Sequence, residues 1–368
     1  MANNSKIRIG KSEIGVETPV YIIAEMSANH NQNFDQAVQL IKAAKEAGAD
    51  AIKLQTYTPD TITIDCDNGC FRIGKGTIWE GKNLYELYKE AYTPWEWQPK
   101  LKEIANGLGM DLFSTPFDKT AVDFLQKMDV PAYKIASFEL VDIPLIQYVA
   151  KAGKPIIMST GMATLAEIDE AVTTAIEAGC QEIALLKCTS AYPAPYEEMN
   201  LRTICHMAER YGVPIGLSDH TLGIAVPVAA VTLGACIVEK HFCLSRAIPG
   251  PDSAFSLEPH ELAAMVEAIR AAEKSLGKVA YDITKRENAS RVFRRSLFVV
   301  KDVNAGDEFT AENVRSIRPG SGLPPKYFAC IIGSHASQDI PRGTPLIRQF
   351  IENPPFQDNL KGEKQNNE

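Results

Sequence analysis

Two stretches decide the fold: Gly212-Val213-Pro214-Ile215-Gly216-Leu217-Ser218-Asp219-His220 and Ala235-Cys236-Ile237-Val238-Glu239-Lys240-His241. Each is a short apolar run that ends in polar, titratable residues. A helix-length segment, Thr221 to Gly234, separates them and ends in glycine. Strand, helix, strand in that order is a βαβ unit with parallel strands. Side chains alternate along a strand, so Ser218 shares a face with His220, and Glu239 with His241. Neighbouring strands lie about 4.8 Å apart, which brings both imidazoles to one rim within reach of a single metal ion. A lone His at a strand end is more often a hydrogen-bonded structural residue. The case for a site rests on the pair.

The same unit recurs along the chain. Pro19 to Ala24 is apolar on both faces, as a buried parallel strand should be, and ends at Glu25. Asp50 to Leu54 ends in Gln55, Met110 to Phe113 in Ser114-Thr115, and Ala132 to Ala136 in Ser137. Pro155 to Met158 ends in Ser159-Thr160, and Glu182 to Lys187 in Cys188-Thr189. With the opening pair this makes eight candidate strands, most of them separated by helical patterns. Asn33 is placed to cap a helix from Phe34 to Ala47, with Gly48 as its stop. Thr164 and Glu167 form a capping box. Eight βα units predict an α/β fold, a closed (β/α)8 TIM barrel, whose active sites sit at the C-terminal rim of the strands. The polar residues named above all fall at that rim.

The remaining segments fit around this frame. Ile7 to Val16 reads as a hairpin that plugs the barrel floor. The connection from Thr56 to about Pro99 is far longer than the others and reads as a lid, with glycines from Gly74 to Gly81 and an aromatic run of Tyr85, Tyr88, Tyr92, Trp95 and Trp97. Pro259 to Leu276 is a closing helix, and Ala280 to Ser290 a polar linker. Two similar phrases, Asp302 to Asp307 and Asp339 to Thr344, predict a small β module with an internal pseudo-repeat. The expected division is a barrel with its hairpin over 1–284, a linker over 285–295, the module over 296–352, and a disordered tail over 353–368.

A net charge of −8 over 368 residues argues against nucleic acid as a partner. The eight cysteines show no CxxC pair and read as reduced thiols. The opening Met-Ala-Asn-Asn-Ser-Lys has no apolar signal region, and the longest apolar run, Ala225 to Val238, is too short to span a bilayer. The expectation is a soluble, cytoplasmic protein with no membrane partner.

Lys53 and Lys134 point into the barrel if their strand neighbours face the helices. Two inward ammonium groups repel and are costly to bury unpaired. A multiply charged anion between them accounts for both, with Thr115, Ser137, Ser159 and Ser218 as added donors. One alternative is ion pairing to Glu25 or Glu239. Another is an aldolase Schiff-base lysine, which leaves the His pair without a task. A metal on His220 and His241 beside two lysines suits an aldehyde meeting a phosphorylated carbon nucleophile, with Glu25 as a candidate acid or base.

Several segments together resemble the sialic acid synthase family: Ile23-Ala24-Glu25-Met26-Ser27-Ala28-Asn29-His30, Lys53-Leu54-Gln55, Ser114-Thr115-Pro116-Phe117, Pro131 to Ser137, Ser159-Thr160-Gly161-Met162, Gly216 to His220, and Glu239-Lys240-His241-Phe242. Arg318-Pro319-Gly320-Ser321-Gly322 resembles that family's antifreeze-like (SAF) domain. Within the family, Gly76 to Tyr88 and Gly250-Pro251-Asp252-Ser253-Ala254-Phe255-Ser256 are most similar to the pseudaminic acid synthase branch. Two positions depart from sialate synthases: Ser190 stands where Asn is common, and Lys187 where some carry His.

The resemblance implies condensation of phosphoenolpyruvate with an N-acylated aminosugar, here 2,4-diacetamido-2,4,6-trideoxy-L-altrose, releasing phosphate. It implies a divalent ion on His220 and His241, Mn2+ first, with Mg2+ or Co2+ as alternatives. Phosphoenolpyruvate would lie on Lys53, Thr115, Lys134, Ser137, Ser159 and Ser218. Gln55, Tyr192, Glu239 and Asp252 would contact the open-chain sugar. Arg318 would reach in from a neighbouring subunit of a domain-swapped homodimer. Competing readings are an N-acetylneuraminate or legionaminate synthase, and a non-catalytic carbohydrate- or ice-binding protein. The last would be expected to lose rim His, Lys or Glu residues, and this chain keeps them.

Overall fold

Strand β1 (Ile7–Ile9) turns back at Gly10 into β2 (Ser12–Ile14), giving the predicted hairpin. The computed structural model describes residues 6–356. The expectations for Met1 to Ser5 and for the tail past Phe356 therefore lie outside the described residues. Eight parallel strands follow: β3 (Tyr21–Glu25), β4 (Ala51–Thr56), β5 (Asp111–Pro116), β6 (Tyr133–Ile135), β7 (Ile156–Ser159), β8 (Ile183–Cys188), β9 (Ile215–Asp219) and β10 (Ile237–His241). They close in sequence order, β10 pairing with both β9 and β3. The eight strands lie where the apolar runs predicted them, and the fold is a (β/α)8 barrel.

Strands β3, β4 and β5 divide their side chains between two cores. Ile22, Ala24, Ile52, Leu54 and Leu112 face the helices and pack with Leu40, Ile41, Leu101 and Met265. Tyr21, Ile23, Ala51 and Phe113 face inward and meet Ile7, Ile9 and Ile14 of the hairpin. The hairpin closes the floor at the strands' N-terminal ends, where the Arg8 amide donates to Glu182 at 2.7 Å and the Tyr21 hydroxyl to Asp111 at 2.7 Å.

Helix starts follow the capping residues. Asn33 accepts from the Gln36 amide and opens helix Phe34–Glu46. Thr164 and Glu167 exchange bonds at the head of helix Leu165–Glu177. Helix Pro259–Leu276 has its predicted bounds. The helix between β9 and β10 is shorter than expected, Ala225–Thr232. The Asp219 carboxylate takes the amide and hydroxyl of Thr221, each at 3.0 Å, and holds the start of that segment out of the helix.

Asp219 also meets Lys240 at 2.5 Å, and both side chains are fully buried. The two residues are register partners on β9 and β10. The Lys240 ammonium has a further acceptor in the Thr221 carbonyl.

The long connection after β4 is ordered around short helices, Pro59–Ile62 and Leu84–Ala91. Its far end is anchored by buried His30, whose Nε2 lies 3.1 Å from Thr93 Oγ1 and whose Nδ1 accepts the Gln32 amide at 3.1 Å. Burial pushes the His30 pKa down to about 4.

The chain divides into two compact units, one reaching Gly277 and one starting at Lys278. In the second, β11 (Ser296–Val299) pairs antiparallel with β12 (Val314–Ile317) over a core of Leu297, Val299, Phe309, Ile331, Leu346 and others. The two similar phrases pair with each other through a Val303–Ile340 bridge. Asp302 accepts from the Arg342 amide and Asp339 from the Ala305 amide, a reciprocal clasp. The expected linker is not plain coil. Lys285–Ser290 is a helix opened by a Thr284–Glu287 capping box, stabilised locally although it lacks an apolar stripe. Among the described residues no helix is long and apolar enough to cross a membrane.

Two stability predictions follow from this architecture. Lys240→Ala leaves the Asp219 carboxylate buried and unneutralised, and should cost about 3–5 kcal/mol in urea unfolding. For His30, the folded pKa lies near 4 against an ordinary 6.5. The unfolded chain therefore takes up the proton first as pH falls, so this stability is intact above about pH 6.5 and is lost on descending to about 4. The loss should run at about 1.4 kcal/mol per pH unit and disappear in His30→Gln, read as the urea midpoint against pH.

Candidate active site

Register brings the inward-facing polar residues to one level. β10 pairs His241 with Glu25 of β3, and β3 pairs Glu25 with Lys53 of β4. Glu239 lies opposite Ser218. Alternation then turns Ser218, His220, Glu239 and His241 inward, and Asp219 and Lys240 outward.

The two lysines are paired with carboxylates. Lys53 Nζ lies 2.5 Å from Glu25 and 3.6 Å from Glu239. Lys134 Nζ lies 3.9 Å from Glu239 and donates to Ser159 Oγ at 2.6 Å and to the Ile135 carbonyl at 3.1 Å. These are the carboxylates that the ion-pairing alternative named, and they reach the lysines because barrel closure sets β3 and β10 beside β4. Thr115 accepts from Lys53 at 3.3 Å, and Ser218 donates to Glu239 at 3.1 Å. Ser137 packs where Gly161 approaches closely. A Cβ at Gly161 would lie 2.5 Å from Ser137 and 2.3 Å from the Ser190 hydroxyl.

Burial pushes the Glu25 carboxyl upward, and Lys53 offsets this only in part. Burial acts the same way on Glu239, but Lys134 and Lys53 outweigh it and hold Glu239 below the usual range. Lys134 is lowered by burial. Two carboxylates in one cavity are thereby split, with Glu25 the one suited to carry a proton.

The imidazoles of His220 and His241 lie 5.3 Å apart between ring centroids. His220 Nδ1 faces the Thr189 carbonyl at 3.1 Å, which leaves Nε2 as the open nitrogen. His241 Nδ1 is buried without a hydrogen-bond partner. Burial and the neighbouring His220 hold His241 well below its usual pKa, so the ring is neutral. Burial lowers His220 too, but the neighbouring Cys188 outweighs it and raises that ring above its usual value. A neutral His241 with an unmet buried nitrogen, beside the open Nε2 of His220, fits a divalent cation that completes its shell with other oxygens. Among the described residues no group of three or more His, Cys, Asp or Glu converges as a metal site.

A second wall is aromatic. Tyr192 lies 4.4 Å from His220 and 5.2 Å from Phe255, which lies 4.9 Å from His241. Beside it runs a polar chain. Gln55 donates to Glu25 at 3.1 Å and to Ser27 at 2.9 Å, and the Ser27 hydroxyl donates to buried Asp252. Arg318 belongs to the second unit, exposed just after β12. Lys187, on β8, donates to the Cys188 carbonyl at 2.6 Å and to Thr189 Oγ1 at 3.1 Å.

Sequence reasoning gave no role to Ser27, Phe255 or Glu139, and named Thr189 only as a polar strand end. Ser27 adopts φ 44°, a left-handed conformation unusual for serine and fixed here by its bonds to Asp252 and Gln55. Glu139 follows β6 in a short 3-10 turn, and burial raises its carboxyl to about 7. No periodicity marks a residue in such a turn.

Residues 40–281 match the NeuB family, and residues 294–347 match the SAF domain. A pseudaminic acid synthase of Campylobacter jejuni is 47% identical over 327 residues, 89% of this chain and 95% of its own. One from Helicobacter pylori is 44% identical over 335 residues, 91% of this chain and 98% of its own. The crystal structure of N-acetylneuraminic acid (sialic acid) synthetase from Leptospira borgpetersenii, in complex with citrate, aligns with a TM-score of 0.70 at 32% identity, covering 78% of this chain and 95% of that one. The chain belongs to the NeuB family and carries a SAF domain in its C-terminal unit.

Proposed function

We propose that the chain is a metal-dependent pseudaminic acid synthase, condensing phosphoenolpyruvate with 2,4-diacetamido-2,4,6-trideoxy-L-altrose and water to give pseudaminic acid and phosphate. The observation that carries this reading is the convergence of His220, His241, Glu25, Lys53 and Lys134 at one barrel mouth in a chain 47% identical to a pseudaminic acid synthase.

His220 and His241 would hold a divalent cation, Mn2+ first, which supplies Lewis-acid polarisation of the sugar aldehyde when bound. Lys53 and Lys134, with Thr115, Ser137, Ser159 and Ser218, would hold the phosphate and carboxylate of phosphoenolpyruvate. The incoming anion competes for ammonium groups now facing Glu25 and Glu239. C3 of phosphoenolpyruvate forms the new bond to the aldehyde carbon, and the aldehyde oxygen takes up a proton. Water adds at C2, and the C2–O bond to phosphate breaks. Glu25, raised by burial, is the proton-transfer group. Gln55, Tyr192, Glu239 and Asp252 line the sugar's path. Arg318 would come from the partner in a domain-swapped homodimer acting in the cytoplasm, a setting with which the eight free cysteines agree.

Phosphate release from phosphoenolpyruvate should require the sugar, cease with EDTA and return with Mn2+. His220→Ala and His241→Ala should each abolish turnover with circular dichroism unchanged; near-normal activity in either removes the metal assignment. The 6-deoxy sugar should be preferred over N-acetylmannosamine in kcat/KM. Equal or reversed preference would favour an N-acetylneuraminate or legionaminate synthase instead.

A further inference from the structure

Trp79 is the one residue of the run 74–82 that turns inward; its neighbours in that run are exposed. The loop is pinched at its base by Ile73 and Lys82, amide to carbonyl at 2.9 Å, and by Gly81 to Ile73 at 2.9 Å. Positive φ at Gly76 and Gly81 permits the tight returns on either side of the indole. The Trp79 N–H donates to the Pro251 carbonyl at 2.9 Å. Its ring lies 5.4 Å from Tyr192, the ring that covers His220. Tyr85 and Tyr88 of the lid are engaged elsewhere. The Tyr85 hydroxyl goes to Asp60 at 3.1 Å, and Tyr88 packs on Tyr57 at 5.6 Å.

We propose that Trp79 selects the deoxygenated carbon at the far end of the open-chain sugar. This rests on the synthase reading above and names the residue that sets its sugar preference. With the aldehyde at the His pair, the sugar chain extends along Tyr192, and Trp79 is the next ring contact outward. The indole's only donor is already used by Pro251, so the surface it offers a ligand is apolar. A methyl group against it is desolvated at a gain. A hydroxyl in the same place gives up water and finds no partner. A discrimination of this kind is worth about 10–200-fold. The bond to Pro251 also ties the lid to the loop of Asp252, so one side chain forms the wall and holds the lid to it.

The experiment measures kcat/KM for the 6-deoxy sugar and for its 6-hydroxy counterpart, with the KM for phosphoenolpyruvate as an internal control. Trp79→Ala should lower the deoxy-to-hydroxy ratio about tenfold or more. The KM for phosphoenolpyruvate should stay within about twofold, as expected if Trp79 does not touch the phosphate end. Trp79→Phe keeps an apolar ring and removes the N–H, so it should retain the ratio while weakening both sugars alike. A Trp79→Ala ratio equal to that of the unaltered protein overturns the inference, even if both activities fall. A preference for the hydroxylated sugar in the unaltered protein is a separate result. It defeats the substrate reading before any variant is made, and this inference with it.

Discussion

Asp219 and Lys240 meet at 2.5 Å on the outward face of two neighbouring strands, where neither side chain touches water. Charges so placed tolerate little displacement, because a slip that separates them leaves each desolvated alone. A one-residue slip would also reverse every side chain of a strand between core and helices. The pair therefore fixes which residues of β9 and β10 face inward and at what height. His220 and His241 follow each charged residue directly in the chain, so their shared level is a consequence of a contact on the opposite face. The site's geometry is held from behind, by groups with no need to meet a ligand.

Inside the barrel the charges are balanced before any substrate arrives. Glu25 faces Lys53, and Glu239 lies between Lys53 and Lys134. A cavity holding two bare ammonium groups would be costly to fold, and this arrangement removes that cost. The same arrangement shifts the two carboxylates in opposite directions. Glu239, beside two cations, is held ionised. Glu25 has less compensation for its burial and is the easier of the two to protonate. On the proposed function, an anion bound here would exchange partners with the carboxylates rather than fill a positive hole.

The barrel was legible because each strand is an apolar run that ends abruptly in polar residues, and the His pair was legible because both lie at such ends two residues past an inward polar neighbour. The carboxylate partners of the lysines were not decidable from local pattern. Glu25 meets Lys53 only through strand pairing, and Glu239 reaches both lysines only when β10 closes onto β3. Ser27 was hidden for the same reason. Its partner Asp252 is 225 residues away, and its left-handed backbone is imposed by that contact. The helix at Lys285–Ser290 carried a readable capping box but no apolar stripe, so composition suggested coil. In the second unit the likeness of the two turn phrases was visible, while their mutual clasp joins residues 34 and 40 positions apart, beyond any local pattern.

The hairpin that seals the floor has a consequence for traffic. A vessel closed at the bottom has one doorway, so everything that goes in must come out past whatever stands nearer the opening. Lys53 lies two residues deeper in β4 than Gln55, and Trp79 stands farther out again, beside Tyr192. On the proposed assignment the phosphorylated substrate occupies the inner berth and the sugar the outer one. The order of arrival is then a matter of plumbing: the inner guest has to enter before the outer one blocks the passage.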